Sequence, residues 1–273
     1  MRRKLTLDEI KAAELQLLLE LQDICEKYEL TLYLCGGTLL GAVRHQGFIP
    51  WDDDIDVCMP RPDYDRLIAL AKEEELFGKN RKLVSYESGN LEYPFAKLLD
   101  LTTSLDMEYL EGESARHLWI DILPVDGLPE SGEEIGKIYR KVGFLRRMLA
   151  ISTAKSGTGK TAGKRIFKML AQPLIRLIGA DRLNQMIIRT ARSRDYGTSD
   201  TVGIITWGLY GSREAMAKEA FLKSAEVSFE GRSFYTMSCW ESYLSNLYGE
   251  YMKLPPEEKR KTHDMAVYTE SEA

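Results

Sequence analysis

Aspartates are concentrated in one short stretch of the sequence, where four of the five positions 52–56 carry one. The alternation of acidic and apolar residues predicts a strand over Asp54–Met59, on which Asp54 and Asp56 share one face, about 6.6–6.8 Å apart at the backbone. Two such carboxylates can share hard divalent cations, which bind through oxygen and relieve the repulsion between the acids. We therefore expect them to hold two Mg²⁺ ions, or Mn²⁺ in their place, in a site for phosphoryl transfer. A solvated turn capped by Asp52 is the alternative interpretation.

A glycine pair, Gly36 and Gly37, stands before Thr38 and a short apolar run. A glycine turn that leads into a helix leaves backbone N–H groups free to bind an anion. Thr38 has a side chain that can cap a helix over Leu39–Arg44. These three residues are therefore predicted to bind a phosphate group, and together with the aspartates they indicate a nucleotide-binding transferase.

One further acid and three cations are candidates for the same site. Asp121 is the lone acid in the apolar run LWIDILP, where a carboxylate without a partner would be costly to bury. We expect it to be the third metal ligand and to accept a proton. Lys97, in PFAKLLD, is the best cation for a diphosphate, with a lysine at the edge of a strand as the alternative. Arg44 and Arg61 are second-rank phosphate ligands, and either could instead form an ion pair with a neighbouring aspartate.

Hydrophobic periodicity predicts the elements that carry these residues. Thr6 and Glu9 form a capping box for a first helix over about Leu7–Tyr28. The run LPVDGLP, at Leu123–Pro129, is predicted to be a loop from its proline and glycine content, with Asp126 as a turn residue. Other strands are expected over Leu30–Cys35, Lys82–Glu87, Phe95–Leu101, Ser104–Tyr109, His117–Leu123, Gly203–Trp207, Glu226–Glu230 and Ser233–Met237, and other helices over Pro62–Glu75, most of Glu133–Tyr196 and Trp240–Tyr248.

The order of these elements predicts an α/β (α+β) fold, in which helices flank a mixed β-sheet. We divide the chain into the first part of a catalytic core over 1–130, a basic helical insertion over 131–205 and a C-terminal part over 206–273 that completes the core.

Composition argues against several classes of protein. The net charge of −5 does not suit a protein that coats nucleic acid, so no nucleic-acid partner is expected. Four cysteines without a CxxC pair, and only three histidines, make a zinc site or a disulfide framework unexpected. No run approaches the roughly 18 apolar residues of a membrane span, and the basic N-terminus lacks the apolar core of a signal peptide. We expect a cytoplasmic protein.

The insertion is strongly basic, with ten Lys or Arg residues and no acid over Lys137–Lys168. Because a basic amphipathic helix can lie on an anionic leaflet, residues 137–179 are predicted to contact the inner face of the membrane peripherally, near a lipid-linked or polymeric glycan acceptor. A packed helical subdomain with a solvated basic face is the alternative. AKSGTGKT, at Ala154–Thr161, fits a loose P-loop pattern, but no hydrophobic strand precedes it, so a flexible linker is expected there.

One long motif resembles a known family. GGTLLGAVRHQGFIPWDDDIDV, at Gly36–Val57, continues into MPRPDYDRL and closely resembles the LicD family, which also resembles the catalytic part of fukutin-related proteins. PFAKLLD, WIDILPVDGLP and YGEYMKLPPEEKRKTH agree with the same pattern. The resemblance covers roughly residues 10–130 and 215–264, and the middle of the chain carries no family signature.

The resemblance implies a nucleotidyltransferase-like fold. It also implies metal-dependent transfer of a phospho-alcohol, typically phosphocholine, from a CDP-activated donor to a sugar hydroxyl of a cell-surface glycan, such as a lipopolysaccharide or teichoic acid precursor. In the family pattern Gly36 and Gly37 match the glycine pair, Asp54 and Asp56 match the paired acids, and Asp121 matches the third acid.

A choline-bearing donor would need an aromatic wall, because a quaternary ammonium group is held by cation–π attraction. Trp51, Tyr93, Trp207 and Tyr210 are the candidates for alcohol binding, with packing in the core as the alternative for each.

Two other functions remain open at this point. A nucleotidyltransferase would move an NMP group from an NTP to a hydroxyl acceptor and release pyrophosphate. A catalytically silent glycan- or membrane-binding module is disfavoured by the three acids, whose repulsion would give such a module little benefit.

Overall fold

Helices and strands alternate along the chain, which the computed structural model describes over residues 2–105, 116–154, 171–260 and 266–270. The strands are β1 Arg2–Lys4, β2 Tyr33–Leu34, β3 Asp56–Pro60, β4 Arg81–Ser85, β5 Ala96–Asp100, β6 Thr103–Leu105, β7 Leu118–Leu128, β8 Thr201–Ile204, β9 Met216–Ala217, β10 Ser224–Phe229, β11 Arg232–Met237 and β12 Val267–Glu270. The helices are α1 Leu7–Lys27, α2 Gly36–His45, α3 Arg61–Glu73, α4 Gly132–Thr153, α5 over 171–178, α6 Ala180–Ala191, α7 Lys218–Leu222 and α8 Trp240–Tyr248.

A mixed β-sheet lies at the centre of the fold. Its strands follow the order β2-β3-β7-β5-β4, and β8 pairs with β7 and β9 with β8. The pair β3–β7 is parallel and the other pairs of this sheet are antiparallel. Strands β1, β12 and β6 form a second, antiparallel sheet, and β10 pairs with β11. The predicted α/β class with a mixed sheet is confirmed.

Helix α1 packs against β5 and β7. Its start has the predicted capping box, since Thr6 Oγ1 accepts a hydrogen bond from the backbone N–H of Glu9 and the Glu9 carboxylate accepts one from the backbone N–H of Thr6. Leu17, Leu18 and Leu21 are fully buried on the face that meets the sheet. The predicted first helix is confirmed.

Strand β7 is longer than its sequence predicts. It runs through the proline and glycine of LPVDGLP to Leu128, so the loop expected over Leu123–Pro129 was wrong. Pairing continues because β3 follows one edge of β7 as far as Val125, and β8 takes up pairing from Val125 to Leu128. Asp126 is therefore a buried strand residue and not a turn residue.

The segment between β7 and β8 forms a helical lobe made of α4, α5 and α6. Helices α4 and α6 pack on each other through their own apolar cluster, which includes Val142, Leu145, Leu183 and Ile187. The predicted helical pattern is confirmed over the residues described. None of the helices described has an apolar run long enough to cross a membrane. The expected strand end at 106–109, most of the P-loop-like stretch and much of the basic segment before residue 171 lie outside the described residues.

Candidate active site

Three charged side chains form a row across neighbouring strands of the central sheet. Asp56 on β3 is in register with Asp121 on β7, and Asp121 is in register with Lys97 on β5. The Lys97 ammonium donates a hydrogen bond to Asp121 at 2.6 Å from Nζ to Oδ1. Because side chains in register on adjacent strands share a face, the sheet itself brings the two predicted acids and the predicted cation together.

Burial and mutual repulsion set the charges in this row. Burial raises the pKa of Asp56 well above its usual value, and the charges of Asp54 and Asp121 raise it further, while Lys97 opposes the shift. Burial lowers the pKa of Lys97, whereas Asp121 and Asp56 favour its charged form. The Lys97 ammonium also lies 3.9 Å from the ring centroid of Trp119, a cation–π distance. The row therefore combines two acids with one buried cation, and Asp121 lies between Asp56 and Lys97.

The glycine pair lies directly against the carboxylates. Gly36 has φ +55°, a left-handed conformation that favours glycine, and a Cβ added there would lie 3.3 Å from Asp56 Oδ2. A Cβ added at Gly37 would lie 3.1 Å from Asp52 Oδ2. The absence of side chains at these two positions therefore lets two acids approach the N-terminus of α2.

The structure corrects the role expected for Thr38. Helix α2 begins at Gly36 with Cys35 as its N-cap, so Thr38 lies inside the helix and does not cap it. Its hydroxyl Oγ1 accepts a hydrogen bond from the backbone N–H of Asp56 at 2.8 Å. Thr38 thus fixes the start of β3 against α2, and its predicted contact with a phosphate group stays a prediction.

A cleft of about 380 Å³ opens on the row of charges. The segment from α2 to β3, together with β7, contributes four acids to its lining, and the segment after β8, together with α8, contributes aromatic residues and one further acid. The acids are Asp52, Asp54, Asp56, Asp121 and Glu214, and the aromatic residues are Trp207, Tyr210, Tyr243 and Tyr248. Such a cleft joins an acidic floor to an aromatic wall.

Glu214 is a buried acid in the aromatic part of the cleft. Its side chain accepts hydrogen bonds from the backbone N–H of Tyr210 at 3.3 Å and from the Tyr243 hydroxyl at 3.5 Å. Burial raises its pKa to about 7, and the hydrogen bonds and the nearby Arg146 limit the rise. The cleft therefore has a carboxyl group that changes its charge near neutral pH.

The two predicted arginines are engaged outside the cleft. Arg61 is buried and forms a two-point ion pair with Asp126, at 2.7 Å from Nε to Oδ1 and 2.8 Å from Nη2 to Oδ2. Arg44 donates to the backbone carbonyl of Tyr251 at 2.8 Å and to the His45 ring. Neither lines the cleft, and Arg61 takes the alternative role of structural ion pairing. Lys97 does not line the cleft either, but it is the predicted cation that the structure brings to the carboxylates, through its hydrogen bond to Asp121.

The predicted aromatic residues divide into two groups. Trp207 and Tyr210 line the cleft, and Tyr210 meets Tyr248 edge to face with 5.1 Å between ring centroids. Tyr93 packs behind the wall against the Trp207 ring, with 5.5 Å between centroids. Trp51 contacts His45 and the Arg260 guanidinium instead and is not among the lining residues. Trp51 and Tyr93 are therefore not brought to the cleft.

Several residues near the acids were missed by sequence reasoning. Glu14 of α1 is fully buried, and neither carboxylate oxygen has a hydrogen-bond partner among the residues described. Burial raises its pKa well above the usual value, and the charges of Asp54, Asp53 and Asp52 raise it further. An acid at a helical spacing of four and three from buried Ile10 and Leu17 was the signal for it. Asp52 stands in the acidic stretch, but the sequence pattern indicates only a turn cap for it, and Glu214 lacked any comparable signal.

The oxygen atoms around the row are suitable ligands for a hard divalent cation. The carboxylates that line the cleft offer oxygen ligands, the kind that Mg²⁺ and Mn²⁺ take, and a cation would relieve the repulsion that raises the pKa of Asp56. Over the described ranges, no three His, Cys, Asp or Glu side chains are gathered closely enough to enclose an ion, and Asp121 is turned toward Lys97. Metal binding by Asp54, Asp56 and Asp121 therefore stays a prediction.

Comparison with known proteins identifies the family. The family model described as LicD/FKTN/FKRP, nucleotidyltransferase domain, matches residues 29–138. The lipopolysaccharide cholinephosphotransferase LicD of Haemophilus influenzae is 32% identical over 266 residues, which are 96% of this chain and 97% of that protein. An uncharacterized protein of Rickettsia prowazekii is 33% identical over 42% of this chain and 40% of its own length.

The matched segment contains α2, β3, β5 and β7, the elements that build the glycine pair and the row of charges. The family model that matches this segment describes a nucleotidyltransferase domain, so the chain falls in the nucleotidyltransferase-like class. The chain belongs to the LicD family, as its motifs indicated, and it is a LicD-like phosphotransferase.

Proposed function

We propose that the protein transfers phosphocholine from a CDP-activated donor to a sugar hydroxyl of a cell-surface glycan. The observation that carries the proposal is the 32% identity, over nearly the whole of both chains, to a lipopolysaccharide cholinephosphotransferase. The geometry supports it because the cleft combines an anion-binding helix start, a row of acids and an aromatic wall. A reaction at a phosphorus atom that carries a cationic alcohol needs all three.

The N-terminus of α2 and Lys97 are proposed to hold the donor's diphosphate. The first backbone N–H groups of a helix carry partial positive charge, and Gly36 and Gly37 line the cleft there. Asp54, Asp56 and Asp121 would hold Mg²⁺, which, when bound, supplies positive charge to offset that of the pyrophosphate. Asp121 would then exchange part of its contact with Lys97 for the ion.

The reaction is an in-line displacement at one phosphorus atom. The acceptor hydroxyl oxygen forms a bond to the phosphorus that bears the choline, and the bond from that phosphorus to the bridging oxygen breaks, so that CMP leaves with the electron pair. The hydroxyl proton passes to a carboxylate of the cleft, for which Asp121 is the proposed acceptor. Lys97, 2.6 Å away, stays beside it to balance charge.

The aromatic part of the cleft is proposed to bind the choline. A quaternary ammonium group is attracted to the faces of Trp207, Tyr210 and Tyr248 and has no N–H to donate, so it needs no hydrogen-bond acceptor. Glu214 among these rings adds a negative charge when ionised. Neutral alcohols such as ribitol or glycerol would gain nothing from either feature, so the wall favours a cationic alcohol.

Calorimetric titration with candidate donors tests the proposal. The wild-type protein and Asp54→Asn/Asp56→Asn are titrated with CDP-choline, CDP-ribitol, CDP-glycerol, CTP and ATP, with and without Mg²⁺. Glu214→Gln serves as a second variant, because it keeps the shape of the wall and removes its charge. We expect Mg²⁺-dependent binding of CDP-choline, lost in the double variant, and weaker discrimination against CDP-ribitol in Glu214→Gln.

Product analysis separates the proposal from nucleotidyl transfer. Release of CMP with transfer of the alcohol supports the phosphotransferase reaction. Preference for CTP or ATP over every CDP-alcohol, with release of pyrophosphate, would replace it with the alternative. The cytoplasmic location is also proposed, because nucleotide-activated donors are made there, and the four cysteines are free thiols, as a reducing compartment requires.

A further inference from the structure

The helical lobe is charged oppositely to the rest of the molecule. Over residues 132–154 and 171–194 the sequence has ten Lys or Arg residues and three acids, whereas the chain as a whole has a net charge of −5. Two of these arginines are neutralised, because Arg192 pairs with Asp65 at 2.7 Å and Arg194 with Glu134 at 3.0 Å. The remaining excess of positive charge lies mostly along α4 and α6.

A groove of about 330 Å³ runs between α4 and α6 on this lobe. Its lining combines three cations, two apolar side chains and two hydroxyl groups. They are Lys137, Lys141 and Arg189, Ile138 and Met186, and Thr190 and Ser193. Lys137 pairs with exposed Glu133 at 2.7 Å, while Lys141 and Arg189 form no ion pair within the described part of the chain. An anion with an apolar attachment would complement this groove.

Large apolar side chains are exposed on the same lobe. Phe144 continues the outer stripe of α4 one turn beyond Lys141 and is 55% exposed, and Met186 on α6 is 39% exposed. On α5, Leu174 and Leu177 are 67% and 84% exposed and lie with Ile178 at the helical spacing of one face. The opposite face of α5 is fixed to the lobe, since Gln172 donates to the carbonyls of Ile151 and Ala154. The apolar face of α5 is therefore exposed while the helix itself is held to the lobe by hydrogen bonds.

We propose that the groove between α4 and α6 is a docking site for the phosphodiester headgroups of an anionic bilayer, with the exposed apolar residues of α4 and α5 entering the interface. Cations of the groove pair with the lipid phosphate, and Ile138 and Met186 contact the start of the acyl region. Mixed basic and apolar surfaces bind membranes in this way, through attraction to anionic lipid together with burial of apolar area. The inference does not depend on the transfer reaction and concerns a different face of the molecule.

Vesicle co-sedimentation of the full chain tests the site. The probes are phosphatidylcholine vesicles with and without phosphatidylglycerol. The test variant is Lys137→Glu/Lys141→Glu/Arg189→Glu, and the matched control reverses three exposed cations outside the lobe, in Lys79→Glu/Lys223→Glu/Arg232→Glu. We expect wild type and control to sediment with the anionic vesicles and the groove variant to bind them more than about a hundredfold more weakly, because loss of each basic residue costs roughly fivefold and the added acids repel the surface. Wild-type binding should weaken with added salt.

A second variant keeps the test valid if charge reversal impairs folding. Lys137→Gln/Lys141→Gln/Arg189→Gln removes the charge without adding repulsion and should weaken binding to the anionic vesicles by about a hundredfold. Leu174→Ser/Leu177→Ser probes the apolar part and should weaken binding that persists at high salt. Equal sedimentation of the groove variant and the control would overturn the proposal. So would wild-type binding to soluble polyphosphate without binding to vesicles, which would identify a polyanionic partner. CDP-choline binding should be the same in all these variants, so failure here leaves the transferase proposal untouched.

Discussion

The ion pair between Arg61 and Asp126 tests whether Arg61 stabilises the fold or binds the substrate. Its side chains are 6% and 1% exposed, and two nitrogen–oxygen contacts of 2.7 and 2.8 Å join them. At an effective dielectric constant of about 20, unit charges about 2.8 Å apart attract by roughly 6 kcal/mol, and desolvation of both groups offsets much of this. The pair as a whole therefore adds little to the free energy of unfolding, but a buried charge left without its partner lowers it strongly.

Single and double substitutions should separate these two quantities. Arg61→Met should lower the free energy of unfolding by about 3–5 kcal/mol, because it leaves the buried Asp126 carboxylate without its partner. Asp126→Leu should cost less, because Arg61 keeps its 3.5 Å contact with Asp65. The double variant Arg61→Met/Asp126→Leu should lie within about 1–2 kcal/mol of wild type, since no charge is then buried. Urea denaturation followed by tryptophan fluorescence measures all four proteins.

Nucleotide binding provides the second half of the test. Because Arg61 does not line the cleft, the double variant should bind CDP-choline like wild type. A double variant that folds but has lost nucleotide affinity would mean that Arg61 contacts the donor. An Arg61→Met variant that costs less than about 1 kcal/mol would refute the argument that the pair is buried and interdependent.

Three further predictions concern the cleft itself. Gly36→Ala should lower the free energy of unfolding by about 1–2 kcal/mol, because φ is +55°, and should also lower kcat/KM, because the new Cβ meets Asp56 Oδ2. Lys97→Gln should lower kcat/KM by about a hundredfold in a choline-transfer assay, since it removes the buried cation beside Asp121. Glu214 binds a proton up to about pH 7 in the folded protein but only up to its usual 4.5 when unfolded. Stability should therefore fall as pH rises through that window, by up to about 1.4 kcal/mol per pH unit, and Glu214→Gln should flatten the dependence.

Matched controls decide each outcome. Gly89 has φ +71° with open space around its Cβ position, so Gly89→Ala should cost similar stability and leave activity unchanged; equal activity of both glycine variants would contradict the contact with Asp56. Lys79→Gln, on an exposed loop, should leave kcat/KM unchanged. An unfolding profile of Glu214→Gln that falls as steeply as wild type between pH 4.5 and 7 would assign the slope to other groups.

The local sequence pattern predicted the row of Asp56, Asp121 and Lys97 better than it predicted the role of Arg61. Alternation around Asp56 and Asp121 is a property of each strand alone, and the apolar residues beside Lys97 indicated burial, so all three were found. The sequence left the role of Arg61 open between phosphate binding and an ion pair, because its partner lies 65 positions away and only the parallel pairing of β3 with β7 brings Asp126 to it. No local signal states which two strands will be neighbours.

Contacts between distant parts of the chain and the exact start of α2 explain the other differences between prediction and structure. Proline and glycine in LPVDGLP favour a turn locally, yet pairing on both edges keeps β7 extended. Thr38 has the side chain of an N-cap, but the helix starts earlier, because the Cys35 carbonyl already accepts a helical hydrogen bond from the backbone N–H of Leu39. Trp51 and Trp207 look alike in the sequence, and only the return of the chain after β8 carries Trp207 to the cleft.

The adjacency of β7 and β8 makes the molecule modular. These strands are hydrogen-bonded neighbours, from Val125–Ile204 to Leu128–Thr201, yet the whole helical lobe is spliced between them. Two antiparallel neighbours need only a short hairpin to connect them, so lobes of other lengths could occupy the same junction without altering the register of the sheet. A replacement would lose the links that the lobe makes to the core, among them the ion pair of Arg192 with Asp65 and the hydrogen bond from Arg146 to the Gly208 carbonyl, which supports the loop of the aromatic wall. Relatives that modify different surfaces could thus share one catalytic sheet and differ in what is grafted at this point.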